Sequence, residues 1–201
     1  MPTPSNRLNF TLTMPKWTVV ELARLPEGLP TIEDRMRKIL RLARLNVEND
    51  TGGPFAAGVF ERESGRPIAI GVNRVLATGC SSAHAEVMAL SLAQKALNTW
   101  DLGGAGLPVH QLVVNWRPCA MCYGALLWSG VRSLVIAGSG PELEEFTGLD
   151  EGPLNPRWDA ELRERGIEVI DDVLRAEACD VFRAFKVAGR FVYNARQGSA
   201  D

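Results

Sequence analysis

The chain has no stretch apolar enough to span a bilayer, which takes about 20 such residues in a row. Its first thirty residues are interrupted by Pro2, Pro4, Pro15, Pro26 and Pro30, with no unbroken apolar run of signal-peptide type. A cytoplasmic protein with no membrane partner is therefore expected. A basic surplus is missing too: 22 Lys and Arg face 24 Asp and Glu, a formal net charge of −2, and the pI is about 5.8. Proteins that live on a nucleic-acid backbone carry the opposite imbalance, so no nucleic-acid partner is expected. Internal repeats and low-complexity tracts are absent, which excludes a repeat architecture. Histidine is scarce, with two in the whole chain, and there are only four cysteines. In a cytoplasmic protein of this size those cysteines read as ligands, catalysts or core fillers rather than disulfide staples.

What remains is an ordinary globular composition, 46% hydrophobic and 23% charged over 201 residues, enough for one domain with a sizeable core. Residues 1–30 read as an extension that wraps the domain or frays. From Thr31, "TIEDRMRKILRLARLNVEN" predicts a capped amphipathic helix, with Ile32, Met36, Ile39, Leu40 and Leu42 at helical spacing. "GGP" at 52–54 breaks it, and two short strands follow, 55–61 and 67–73, joined by the turn-rich "RESGR". Ser81 and Ser82 are predicted caps of a largely buried helix, since no charge lies between Glu86 and Lys95. A strand at 110–115, a helix carrying two cysteines, a strand at 131–137 and a Gly/Pro/Glu-rich loop at 138–156 come next. A short helix, the strand "IEVI" and an amphipathic helix ending near 188 complete the series, leaving the tail "GRFVYNARQGSAD". Strands alternating with helices after an opening hairpin predict an α/β sandwich built on one mixed sheet.

Chemistry concentrates in "NWRPCAMCYGALLWSG" at 115–130. Cys119 and Cys122 stand three apart at the start of a helix with no charged residue until Arg132, and Pro118 suits the first helical position. A metal clip, a redox pair, a disulfide and two small core residues all fit that spacing. The positive end of the helix dipole favours thiolates, and two converging thiolates suit a divalent cation, usually zinc. Upstream, "HAE" at 84–86 opens another predicted helix. Side chains in a first turn lean back toward the N-terminus. His84 can then complete a three-ligand site with Cys119 and Cys122, while Glu86 reaches past the metal. Three protein ligands leave a fourth position for water, the mark of a catalytic zinc site. His110, Cys80 and Cys179 read as structural residues.

"HAE" followed by "PCAMC" resembles the zinc-dependent cytidine deaminase superfamily, whose zinc deaminases carry an H-x-E…P-C-x-x-C pattern. Within it, "GGPFAAGVF", "GVNRV", "SAHAEVMAL", "PCAMCYGALLWSGV" and "LDEGP" look like the guanine deaminase branch, from about residue 30 to the "YNAR" of the tail. The resemblance implies a three-layer α/β/α sandwich with a central five-stranded mixed sheet. It implies a deaminase domain at 31–188, behind an N-terminal extension at 1–30, and a C-terminal tail at 189–201 that swaps onto a partner subunit in a homodimer. It also implies one zinc per subunit with a catalytic water, Glu86 as proton carrier, and hydrolysis of guanine to xanthine and ammonia. As the resemblance implies, Asn73 and the backbone of Ala85 hold the base, Phe55 stacks on it, and the acidic pair Asp150 and Glu151 supplies a second acid, Glu151 being favoured. Tyr193, with Phe191 and Asn194, fits a lid.

The match departs from the family before the cysteines, where Asn115, Trp116 and Arg117 replace a small hydroxyl residue and a Glu. Trp116 is then expected at the floor of the pocket. A recut pocket leaves an aminotriazine, a pterin, cytosine or a nucleoside such as guanosine open as the substrate. A tRNA adenosine deaminase and a non-catalytic zinc-binding module are the competing classes. The acidic pI and non-basic tail disfavour the first, and Glu86 disfavours the second.

Overall fold

The computed structural model describes residues 10–153 and 155–196, so the first nine residues of the predicted extension and the last five of the tail lie outside the described residues. In chain order the elements are α1 (Trp17–Ala23), α2 (Ile32–Glu48), β1 (Ala56–Glu61), β2 (Pro67–Val72), α3 (Val75–Thr78) and α4 (Ala85–Ala96). They continue with β3 (His110–Val114), α5 (Ala120–Ser129), β4 (Ser133–Ile136), α6 (Glu142–Thr147), α7 (Trp158–Glu164), β5 (Glu168–Ile170) and α8 (Arg175–Val187). The strands form one sheet in the order β2-β1-β3-β4-β5. β1 runs antiparallel to both β2 and β3, while β3, β4 and β5 are mutually parallel. Helices α2 and α8 cover one face and α4 and α5 the other, giving the expected three-layer sandwich.

Local sequence explains most of these elements. Thr31 caps α2 by accepting the Asp34 N–H at 3.0 Å, and Glu33 and Asp34 place negative charge in the first turn. Met36, Ile39, Leu42 and Ala43 then bury the inner stripe completely. On the other face α4 lies almost on the backbone of β2. A Cβ at Gly71 would stand 2.3 Å from the Ala85 carbonyl and 2.5 Å from the Ala89 nitrogen, so only glycine permits this approach.

The pairing register brings the functional loops to one edge. Ala57 pairs with Val114 and Ala56 with Val72, so the entry to β1 lies beside the exits of β2 and β3. Val114 in turn pairs with Ile136, so β4 leaves the sheet at the same edge. The loops 49–55, 73–84, 115–119 and 137–153 therefore meet there. This is where an open α/β sheet usually binds ligands.

The structure corrects four boundary expectations, and one is that Glu142–Thr147, inside the stretch read as a loop at 138–156, forms the helix α6. Residues 17–23 form a helix within the segment read as an extension. Two turns are too short to be stable alone, and tertiary contacts hold them: Glu21 is buried and accepts from Lys38 Nζ at 2.8 Å and from Arg41 at 3.0 and 3.1 Å. Ser81 and Ser82 do not cap α4, whose N-cap is His84. Pro118 precedes the N-cap of α5, which is Cys119, rather than occupying the first helical position.

The hydrogen bonds from Arg41 and Lys38 hold the Glu21 carboxyl at about 2, below its ordinary 4.5. A value depressed by folding stabilises the native state above the unfolded pKa, and that contribution is lost as pH falls through the folded one. Glu21→Gln is expected to lower stability by about 1–3 kcal/mol at neutral pH. Thermal unfolding should show the gap between variant and parent closing as pH falls from 4.5 toward 2.

Candidate active site

Two helix N-termini confront each other at the loop-bearing edge. His84 and Cys119 are the N-cap residues of α4 and α5, and both have extended backbones, with φ/ψ of −72/156° and −66/172°. Neither side chain caps its own helix. Instead the two meet across the gap, with Cys119 Sγ 3.5 Å from His84 Nδ1. Cys122, in the first turn of α5, completes the group, and the three donor atoms lie within 4.8 Å of one another. Because His84 sits outside the helix, its separation from Glu86 by two residues is no obstacle to cooperation. The extended N-cap turns the imidazole toward the sulfurs, while helical geometry carries the Glu86 carboxyl into the buried interior beside them.

This donor set fits zinc. Bonds of about 2.3 Å to sulfur and about 2.0–2.1 Å to nitrogen imply donor separations near 3.5–3.8 Å around a tetrahedral ion, and here Cys119 Sγ lies 3.5 Å from His84 Nδ1 with all three donors within 4.8 Å. The chemistry fits as well, since two thiols and an imidazole are donors that zinc prefers. Glu86 stays outside the ligand group, so a fourth coordination position is not taken by that carboxylate.

The electrostatics of the cluster are those of ionisable groups crowded out of water. The Cys119 thiol is held down at about 4, chiefly by a hydrogen bond from Cys122 and then by His84, against the opposing effect of burial. Cys122 moves well above the ordinary thiol value because it gives that hydrogen bond and is buried. Burial works to lower the His84 imidazole, but its contact with Cys119 and the nearby Glu86 hold it at about 8. Burial pushes the Glu86 carboxyl up to about 7, with the Cys119 charge adding to the effect. Glu151 rises to about 8, again through burial first, then through Cys119 and Glu86, with His84 and Arg117 opposing. A divalent cation between the sulfurs favours the second thiolate and draws both carboxyls back toward ionisation.

The mouth is a cleft of about 350 Å³ whose walls include His84, Cys119, Met121, Glu151, Tyr193 and Asn194. Of the acidic pair, Glu151 shares the field of the cluster, whereas Asp150 serves the loop: its carboxylate accepts the Gly152 N–H at 2.8 Å. Asn73 is fully buried at the exit of β2. Its Oδ1 accepts from the Gly53 and Val75 N–H groups at 3.3 Å each, and its Nδ2 donates to the Tyr193 hydroxyl at 2.6 Å. The tail folds over its own chain's cleft. Asn194 accepts the Asp150 N–H and donates to the Gly148 carbonyl, both at 2.8 Å. Ala85 opens α4, where first-turn N–H groups lack helical partners.

The residues that depart from the family pattern are turned into the framework. Asn115 bridges to the entry of β1, accepting from Ala56 N and donating to the Pro54 carbonyl, each at 2.9 Å. The expectation of Trp116 at the pocket floor is corrected: its indole is buried against Phe182 at 5.1 Å, lies under the Arg175 guanidinium, and donates to the Gly140 carbonyl. An indole that wide finds room in the layer beside α8 and none between the closely spaced N-termini of α4 and α5. Arg117 points to the Ser139 carbonyl and to Glu144. Phe55 packs on Phe182 in the same layer, with ring centroids 6.1 Å apart. Sequence reasoning missed Asn46, a buried amide on α2 that joins the loops flanking Asn73. Its signal was a polar residue on an apolar helical stripe.

The sequence profile described as the cytidine and deoxycytidylate deaminase zinc-binding region matches residues 30–138. A guanine deaminase of Bacillus subtilis (strain 168) is 30% identical over 135 residues, 67% of this chain and 81% of that protein. Among solved structures, a guanine deaminase from Nitrosomonas europaea shares 46% identity at a TM-score of 0.84, covering 89% of this chain and 97% of that one. A complex with 2,6-diaminopurine is similar at 46% identity and a TM-score of 0.84, covering 96% of this chain and 99% of that one.

Metal analysis of the purified chain is expected to find zinc at a one-to-one ratio. Cys122→Ala, which removes a buried thiolate, should lose it, and Glu86→Gln should retain it.

Proposed function

This chain belongs to the family of zinc-binding cytidine and deoxycytidylate deaminases, and from that premise we propose that it hydrolyses guanine to xanthine and ammonia. One observation carries the reading: a buried carboxyl, Glu86, stands beside a three-donor zinc cluster without joining it. A purely structural site has no use for such a group. The similarity to two guanine deaminases selects the base.

His84, Cys119 and Cys122 hold zinc, which when bound supplies the Lewis acidity that activates water. The work of this chain's own residues is binding and proton transfer. Asn73 presents its amide to the polar edge of the base, and the Ala85 N–H at the helix start adds a second fixed donor. Glu86 takes a proton from the attacking water and gives it to the ring nitrogen beside the carbon under attack. It then carries the second proton to the amino group, so that ammonia leaves and an oxo group remains. A buried carboxyl beside the cluster, which zinc draws back toward ionisation, can take the proton of the water and then return it. Glu151, which lines the cleft beside His84 and Cys119, is a second proton carrier at the cleft mouth.

Tyr193, whose hydroxyl accepts from Asn73 Nδ2 at 2.6 Å, closes over the base, so the tail that begins at residue 189 forms a lid on the 31–188 domain. The chain acts as a cytoplasmic homodimer, and in an exchanged dimer the partner's tail would make the contacts with Asn73, Gly148 and Asp150 that the tail makes here within one chain. Supporting the dimer, α5 exposes Trp128 and Met121 on a stretch with no charge between Arg117 and Arg132. The four free cysteines suit a reducing compartment.

Ammonia release over guanine, ammeline, cytosine, adenine, guanosine and cytidine tests the substrate. Guanine should lead, and turnover confined to another member of the panel overturns the reading. Glu86→Gln is expected to cut kcat by about 10²–10⁴-fold with zinc retained, and near-normal ammonia release would refute its role. Glu151→Gln should lower kcat to a smaller extent. Deleting residues 190–201 should raise KM for guanine with little change in melting temperature, and unaltered kinetics would refute a lid.

A further inference from the structure

Asn46 lies on the inward stripe of α2, seven residues beyond Ile39 and three beyond Ala43, and it is fully buried. An amide among apolar side chains is costly unless every polar group is partnered. All of them are. Its Nδ2 donates to the Gly53 carbonyl at 2.8 Å and to the Asn73 carbonyl at 2.9 Å, and its Oδ1 accepts from the Thr51 hydroxyl at 2.7 Å. The Thr51 hydroxyl in turn accepts from the Trp17 indole N–H at 3.1 Å, and the Thr51 carbonyl accepts from Arg74 at 2.6 Å. One side chain therefore joins the loop entering β1 to the loop leaving β2. The two loops are already in contact, since a Cβ at Gly52 would lie 1.9 Å from the Asn73 carbonyl oxygen.

These are the loops that orient the Asn73 amide. Its Oδ1 is held by the Gly53 N–H, on one loop, and the Val75 N–H, on the other. With Oδ1 fixed from both sides, Nδ2 has a single outward direction, now taken by Tyr193. We propose that Asn46 is a positioning residue for base binding: it fixes Gly53 and Asn73 relative to each other, and so aims an amide that it does not itself touch through its side chain. The inference rests on the reading of Asn73 as the base-holding residue. No other side chain type of this size offers two donors and one acceptor in a plane. Asp at 46 has no N–H for either carbonyl and turns a negative oxygen toward both.

The test is a double-mutant cycle on the zinc-loaded full chain, with kcat and KM for guanine, melting temperature and zinc content read for each variant. Asn46→Asp is expected to raise KM by about tenfold or more, because a shift of the binding group by a fraction of an ångström is enough. It should leave zinc content unchanged and alter kcat by less than about threefold. In an Asn73→Ala background the same change should add less than about threefold to KM, because the residue it aims is gone. A merely structural role predicts a lower melting temperature with KM unmoved, or losses that multiply in the double variant, and either result overturns the proposal. Should Asn46→Asp fail to fold, Thr51→Val removes the hydroxyl that seats the Asn46 amide and that also accepts from the Trp17 indole. It should raise KM by about threefold and lose that effect in the Asn73→Ala background, and an unchanged KM or a multiplicative loss again overturns it. Asn73→Ala by itself separates the two readings. A normal KM there removes the base-holding role and the positioning role with it, whereas a raised KM with normal Asn46→Asp kinetics removes positioning alone.

Discussion

The site depends on two helix N-termini brought face to face. Each helix ends in an N-cap residue whose side chain is free to leave its own helix, and the packing of α4 on β2 and α5 at the exit of β3 aims the two at each other. The partial positive charge at both ends favours sulfur in its ionised form. The Cys119 thiol is held down at about 4 chiefly by the hydrogen bond from Cys122 and then by His84. Gly71 is part of this arrangement although it lies outside the site. Any larger residue there would push α4 outward and carry His84 away from the cysteines.

Around that meeting point the protein builds a shell in which little is left to water. Glu86 and Glu151 both lie in the field of the Cys119 sulfur, and burial raises both. Two carboxyls beside one metal cluster suit a reaction that moves protons twice in succession. Arg117 is placed to moderate this. Its guanidinium is buried toward Glu144 and lowers Glu151 from a distance, without entering the cleft. The polar frame on the other side is made of three amides. Asn115 latches the entry to β1, Asn46 joins that entry to the exit of β2, and Asn73 is left with its donor turned toward the Tyr193 hydroxyl.

Much of this was legible in the sequence because it is local or carried by a motif. The capped start of α2, the opening hairpin, the alternating strands and helices, and the three donors His84, Cys119 and Cys122 are spelled out by residues close together or by a sparse pattern. The helix at 17–23 was not legible, because two turns flanked by prolines have no stability of their own and Glu21 finds its cations only on α2. The cap assignments failed for a related reason. Ser81 and Ser82 are good caps by propensity, but the metal-facing residue took that position at α4, as Cys119 did at α5.

Chain order and residue chemistry thus determined the fold class, the sheet and the identity of the metal donors, since periodicity, capping and the choice of Cys and His are properties of short segments. Direction was decided by the tertiary structure. Whether Trp116 and Arg117 face the cleft or the core, whether Asp150 or Glu151 shares the field of the cluster, and what a buried Asn46 is for all turn on which loops share the sheet edge. That in turn depends on a register between strands nearly sixty residues apart, Ala57 against Val114, which no local pattern encodes.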